Sequence, residues 1–376
     1  MKHVDEYRDP RRLQDELEQI RRRAARRWTI MDVCGGQTHQ LLRHGLEAAL
    51  EDSLELIHGP GCPVCVTPAE AIDDAVELAL DRGALVASFG DMLRVPGRRG
   101  SLLQARARLR GASGGGGEVR TVHAPSEAVR LAERFPDREV VFFAVGFETT
   151  VPSTALAVLQ AAQLRLRNFS LLAHHVRVVP AMEALAADPS CRISGFLAAG
   201  HVCTVTGYRE LGPLVERHRV PVVVTGFEPL DLVHGLRLCI EQLETGRAEL
   251  ENGYPRCVRL EGNPAALRLI DRVYSVCDLA WRGFGVLRGG GFEMRSEYAA
   301  YDARKKFALV PSIAAFDDPA EKECAAVLSG RIKPPQCPWF GAGCTPDSPR
   351  GAPMVSEEGA CAAYHRYARR QEPARG

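Results

Sequence analysis

The sequence has almost no net charge of either sign. Over 376 residues, 48 Lys and Arg stand against 47 Asp and Glu, leaving +1. Strong non-specific attraction to nucleic acid or to an anionic membrane is therefore not a basis for function, and neither is expected as a partner. No run of about 18 uncharged apolar residues occurs, so no membrane-spanning helix is expected. The first 28 residues, MKHVDEYRDPRRLQDELEQIRRRAARRW, are charged throughout and lack the apolar core of an export signal. The expected location is cytoplasmic, where thiols stay reduced. Nucleotide fingerprints are missing too. The glycine-rich stretch 111–117, GASGGGG, lacks the Lys-Ser/Thr ending of a phosphate loop and reads as a flexible surface connection. No Gly-x-Gly-x-x-Gly follows a strand.

What is present in excess is cysteine. Twelve are too few for a disulfide scaffold, which runs above about 8% Cys. They are more than packing requires, and a reducing compartment points them to metal binding or redox chemistry.

The pattern from Trp28 to about Leu238 repeats a short apolar run, a glycine turn and a helical stretch. The runs are Thr29–Val33, Leu54–Ile57, Ala84–Phe89, Val119–Val122, Val140–Val145, Ser170–Ala173, Gly195–Ala198 and Val220–Thr225. Short buried strands alternating with helices predict an α/β fold with parallel sheets. Upstream, Asp9–Arg27 carries Leu13, Leu17 and Ile20 at helical spacing and predicts an amphipathic helix with a solvated basic end. Thr67-Pro68-Ala69-Glu70 reads as a capping box opening a helix that Gly83 ends. Gly146-Phe147-Glu148 and Gly226-Phe227-Glu228, 80 residues apart, suggest two similar units split near residue 139. The motifs fall at the carboxyl ends of the runs, where parallel sheets place functional loops, so facing units would line one cleft with them. Beyond about residue 240 the regularity fades, and Gln371–Gly376 reads as a frayed tail.

The last four cysteines, Cys324, Cys337, Cys344 and Cys361, are spaced C-x12-C-x6-C-x16-C in irregular, Pro/Gly-rich chain. Four thiolates suit a [4Fe–4S] cluster or structural zinc; the absence of tight C-x2–4-C pairs favours the cluster. Cys62 and Cys65 form a C-x-x-C near a helix N-terminus, a pattern that suits a dithiol/disulfide pair; half of a metal site is the alternative. Cys34 ends a strand, is followed by two glycines and has His39 nearby, which suits iron(II) or a nucleophile, although a buried structural cysteine accounts for it equally well. Glu148, His201 and Glu228 stand at strand ends as candidate cleft residues or as loop and cap partners. Cys191, Cys203, Cys239, Cys257 and Cys277 show no ligand spacing and read as small buried hydrophobes. Of these, Cys203 draws notice beside His201.

Together the motifs resemble the HypD hydrogenase maturation factors. They are Cys34-Gly-Gly-Gln-Thr-His39, Gly59-Pro-Gly-Cys-Pro-Val-Cys65, Ser88-Phe-Gly-Asp91, Arg94-Val-Pro-Gly97, Gly146-Phe-Glu-Thr-Thr150, Gly200-His-Val202, Gly226-Phe-Glu-Pro229 and Glu358-Gly-Ala-Cys361. The resemblance spans nearly the whole chain in the same order. It implies assembly of the Fe(CN)2CO group of [NiFe]-hydrogenase in complex with the small chaperone HypC, with cyanide arriving on a HypE thiocarboxamide and the hydrogenase large subunit served indirectly. It also implies two similar α/β domains and a third, less regular domain with a [4Fe–4S] cluster. The expected division is an N-terminal helix (1–27) packed on the third domain, α/β domain I (28–139), α/β domain II (140–238) and the cluster domain (239–376).

By the same resemblance, Cys34 would be the thiolate for transient Fe(II) carrying CN and CO. Cys62 and Cys65 would be the redox pair, Cys324, Cys337, Cys344 and Cys361 the cluster ligands, and His39, Glu148, His201 and Glu228 the cleft lining. The family commonly has His where Gln37 stands and Pro where Ala199 stands, which puts a ligand role at position 37 in doubt. Two other classes fit the same cysteines: a stand-alone iron–sulfur disulfide oxidoreductase and a zinc-binding interaction module.

Overall fold

The computed structural model describes residues 5–111, 116–310 and 319–367. The middle of the 111–117 stretch and the tail Gln371–Gly376 lie outside the described residues. All eight apolar runs form strands: β1 Trp28–Asp32, β2 Leu54–His58, β3 Leu85–Ser88, β4 Glu118–Thr121, β5 Val140–Gly146, β6 Phe169–Val176, β7 Gly195–Ala199 and β8 Val222–Thr225. Three more follow where the sequence regularity fades: β9 Leu250–Asn252, β10 Tyr274–Trp281 and β11 Gly285–Met294. β5, Val-Val-Phe-Phe-Ala-Val-Gly, is buried at every position, the mark of a parallel strand covered on both faces.

The strands make two sheets, a parallel one ordered β2-β1-β7-β8-β9 and a mixed one ordered β10-β11-β6-β5-β3-β4. The division at residue 139 is therefore corrected. That residue lies between β4 and β5, which belong to the same sheet. The chain leaves the first sheet after β2, builds β3–β6 in the second, returns for β7–β9 and ends on the second with the β10–β11 hairpin. The physical reason is long-range pairing: Ile30 of β1 lies between Leu56 and Gly195. Local patterning predicts that a strand is buried but not which strand lies beside it.

One further expectation is sharpened and one is revised. Helix Pro10–Arg23, capped by Asp9 accepting from the Arg11 N–H (2.9 Å), packs on helix Pro229–Glu244, which straddles the expected start of the third domain at residue 239. Its Leu17 and Ile20 join Leu232, Leu236 and Ile240 of helix Pro229–Glu244, and Arg237 Nε reaches Glu16 at 2.6 Å. Each buried leucine or isoleucine there contributes roughly 2 kcal/mol. The capping box at Thr67 does not form. The Thr67 hydroxyl donates to the Pro63 carbonyl (2.8 Å), Glu70 pairs with Arg98, and helix Ala69–Leu80 starts after Pro68. Gly83 takes the left-handed φ of +67° expected past a helix end.

The C-terminal region 319–367 has little regular structure besides helices Pro319–Leu328 and Ala360–Tyr367. It packs on the first sheet. A Cβ on Gly330 would come within 2.4 Å of Ile57, and Ala363 and Tyr364 cover Leu42 of helix Gly35–Arg43. Among the described residues no helix is long and apolar enough to cross a membrane.

Candidate thiol and metal site

Cys34 follows β1 and stands at the N-terminus of helix Gly35–Arg43. The loop after β2 interlocks with it. Gly35 N–H donates to Gly61 O at 2.9 Å, and a Cβ on Gly61 would lie 2.3 Å from the Cys34 nitrogen, so only glycine fits there. Gly36 leaves space beside the thiol: a Cβ there would lie 3.2 Å from the Phe227 ring and 3.8 Å from the Cys34 sulfur. His201 stacks on Phe227 with ring centroids 3.6 Å apart, and desolvation of the imidazole lowers its pKa. Burial pushes the Cys34 thiol up to about 12, helped by the Glu358 carboxylate and opposed by the Gln37 and Gly36 N–H groups. A proton or a bound cation is what this environment favours on the sulfur.

Cys62 and Cys65 are joined, their sulfurs 2.19 Å apart. They sit on their own short helix, Pro63–Val66, where Cys62 sulfur accepts the Cys65 N–H at 3.2 Å. The Cys65 sulfur lies 3.9 Å from the Ala352 carbonyl of the C-terminal region. Cys62, Cys65, Cys203 and Phe147 share one core, and Cys34 packs against it. Glu148, at the end of β5 in the other sheet, enters the same core. Its Oε1 accepts the Val178 N–H at 3.0 Å, and its Oε2 has no hydrogen-bond partner among the described residues. Burial raises the Glu148 carboxyl to about 7 against those hydrogen bonds.

The remaining candidates are placed less uniformly. Glu228 ends the loop after β8 and forms an ion pair with Arg8, whose Nη2 reaches Oε1 at 2.9 Å. Asp231 accepts the Glu228 N–H (3.3 Å), so this carboxylate opens helix Pro229–Glu244 as well as facing outward. His39 is held from the other side, Nε2 lying 3.0 Å from the Tyr367 hydroxyl. Gln37 is buried and donates to the Ala198 and Thr225 carbonyls at 3.1 and 3.3 Å, clamping its helix to the ends of β7 and β8. Its amide nitrogen thus does structural service, while its Oε1 is buried without a hydrogen-bond partner among the described residues.

Cys324, Cys337, Cys344 and Cys361 line one small apolar cavity with Val327, Trp339, Phe340 and Met354. The Arg350 N–H points at Cys344 sulfur (3.3 Å). A Cβ on Gly351 would fall 2.1 Å from Cys324 sulfur. Burial, then neighbouring negative charge including the other thiols, raises Cys324 and Cys361 above the ordinary thiol range. Among the described residues no three His, Cys, Asp or Glu side chains converge closely enough to hold a single ion. Four thiols around an apolar space, with a backbone N–H donor to sulfur, fit a polynuclear sulfur-ligated group.

Of the five cysteines read as buried hydrophobes, Cys203 and Cys239 are buried, Cys191 and Cys277 half-buried and Cys257 exposed. Burial of the last three does not follow from spacing. Sequence reasoning assigned no role to Asp32, His58 or Glu358. Glu358 opens the Glu358-Gly-Ala-Cys361 motif and Asp32 lies two residues before Cys34, and that proximity was the only signal.

A family model described as HypD, hydrogenase formation hypA family, matches residues 11–368. The chain belongs to the HypD family. It is 43% identical to the hydrogenase maturation factor HypD of Rhodobacter capsulatus, over 98% of each chain. It is 43% identical to the hydrogenase expression/formation protein HupD of Azotobacter chroococcum mcd 1, over 100% of this chain and 99% of that one. It is 42% identical to the HypD of Escherichia coli K12, over 99% of each. The HypD match therefore covers both sheets and all but the tail of the cysteine-lined region, not the α/β part alone.

Proposed function

We propose that this HypD-family chain is the scaffold on which the Fe(CN)2CO group of [NiFe]-hydrogenase is assembled in the cytoplasm. The observation that carries this reading is the meeting of three thiol sets. Cys34 sits against the loop of the Cys62–Cys65 pair, and Cys65 touches Ala352, next to Gly351 and the four-cysteine cavity. Iron(II) is the cargo. Cys34 provides one soft thiolate and a HypC-type chaperone a second, leaving positions open for incoming ligands. Iron replaces the thiol proton at Cys34, so loading releases a proton. Cyanide is delivered by a HypE-type carrier, and the finished group passes by way of the chaperone to the hydrogenase large subunit. Phe227, stacked on His201, lies across Gly36 from the Cys34 sulfur, and the core that contains Phe147 packs against Cys34, positioning the cargo and limiting water.

Cys324, Cys337, Cys344 and Cys361 would hold a [4Fe–4S] cluster, which supplies one-electron redox chemistry when bound. The Cys62–Cys65 pair cycles between disulfide and dithiol. The test is anaerobic co-purification with a HypC-type partner and infrared spectroscopy of the complex. Wild type is expected to carry cyanide and CO bands; Cys34→Ala is expected to lose them while staying brown. Full-intensity bands in Cys34→Ala would overturn the iron assignment. Disulfide turnover without any stable partner would instead support a stand-alone oxidoreductase.

A further inference from the structure

A buried polar chain runs from the strand end below Cys34 to the lobe that carries the four cysteines. Asp32, two residues before Cys34, accepts hydrogen bonds from Thr38 Oγ1 (2.6 Å) and from His58 Nδ1. The other nitrogen of His58 faces Glu47 Oε2 at 3.4 Å. Glu47 then receives two groups from the C-terminal lobe: Lys333 Nζ, and the Tyr364 hydroxyl at 2.7 Å from both carboxylate oxygens. The Tyr364 ring also meets the His58 ring edge-on, centroids 5.6 Å apart. Lys333 lies four residues before Cys337, and Tyr364 three after Cys361. Asp32, His58 and Tyr364 are at most 5% exposed.

Buried carboxylates need partners, because an unpaired one loses its hydration without return. Burial disfavours charge on His58, yet Asp32 and Glu47 outweigh it and raise its pKa to about 9. Desolvation likewise opposes ionisation of Glu47, and His58 and Lys333 overcome it, holding its pKa down near 2. The two carboxylates and two cations balance only when Lys333 is docked. Two neighbouring contacts reinforce the joint: Tyr367 on His39, and Glu358 packed so closely on Gly35 that a Cβ there would lie 2.4 Å from the Glu358 carbonyl oxygen.

The lobe supplying these groups has a small apolar core of its own, centred on Val327, Met354, Ala360 and two of the four cysteines. A core that size orders weakly unless its ligand site is filled. We propose that Lys333 and Tyr364 are positioning residues that make occupancy of the four-cysteine site felt at Cys34. Filling the site orders the lobe, docks both side chains on Glu47 and sets the Asp32–Cys34 strand end. Filling of the four-cysteine site therefore precedes iron loading at Cys34. The inference rests on the reading of Cys34 and the four cysteines given above, but its test needs no iron at Cys34.

The experiment measures the rate at which iodoacetamide alkylates Cys34 in full-length anaerobic protein, read by peptide mass spectrometry. Emptying the four-cysteine site of wild type with a chelator should raise that rate about tenfold. The double variant Lys333→Met/Tyr364→Phe should remain brown and alkylate at the emptied rate from the start, with Lys333→Arg retaining the wild-type rate. If the double variant does not fold, Tyr364→Phe alone, which keeps the ring on His58, should raise the rate about threefold. Rates within about twofold of filled wild type, in the emptied protein or in the folded brown variants, overturn the proposal. Loss of the Cys34 iron assignment would appear separately, as retained infrared bands in Cys34→Ala.

Discussion

Glu148 offers a quantitative test of how the two sheets meet. The carboxyl is 2% exposed, with one oxygen bonded to the Val178 N–H and the other without a hydrogen-bond partner among the described residues. A proton affinity raised by burial from the ordinary 4.5 to about 7 separates the protonated and ionised forms by about 3 kcal/mol. The sign follows from proton counting. Below the unfolded pKa both states hold the proton and no cost arises. Between 4.5 and about 7 the unfolded chain releases it while the folded one keeps it, so stability falls as pH rises. Above about 7 both are ionised and the cost is constant.

Glu148→Gln imitates the protonated form, keeps the acceptor for Val178 and titrates nowhere. Its melting temperature relative to wild type should climb between pH 5 and 7 and level off beyond, reaching roughly 6 °C at pH 8.5 if a chain this size moves about 2 °C per kcal/mol. Thermal unfolding of the full-length anaerobic proteins across that range is the assay. A difference that stays flat with pH, or a variant less stable at pH 8.5, would refute the burial argument.

Two variants probe the thiol sets. Cys62→Ser is expected to fold, because Ser Oγ can accept the Cys65 N–H as the sulfur does, a cap worth about 1 kcal/mol. Hydrogenase activity in cells lacking their own copy should nevertheless fall to background, and normal activity would sink the redox role. Gly351→Ala drives a methyl to 2.1 Å from Cys324 sulfur. Displacing that ligand should cost about 1–3 kcal/mol locally and bleach the purified protein while circular dichroism keeps both sheets. Full brown colour in the variant would show that Gly351 does not shape the cavity.

Local structure was legible from the start. Eight apolar runs became β1 to β8, most plainly β3 and β5, which are buried at every position and so must be apolar wherever they lie in the chain. The C-x-x-C pair bonded and the four C-terminal cysteines met around one cavity, since such spacings constrain what short, turn-rich chain can bring together. The helix cap at Thr67 was misread for a local reason: its hydroxyl had a nearer acceptor in the Pro63 carbonyl than the N–H it was expected to cap.

What the residues determined by themselves is thus the eight strands between Trp28 and Thr225 and the spacing of the cysteines. What only the tertiary structure decided is adjacency. β1 pairs with β7 across a stretch of chain that contains four of the six strands of the second sheet, and Glu228 pairs with Arg8, 220 positions earlier. The charges beneath Cys34 are completed from a lobe about 300 residues away, through Lys333 and Tyr364 on Glu47. Such partners follow from how layers pack to bury apolar area and satisfy buried charge together, a condition on the whole chain that no local pattern encodes.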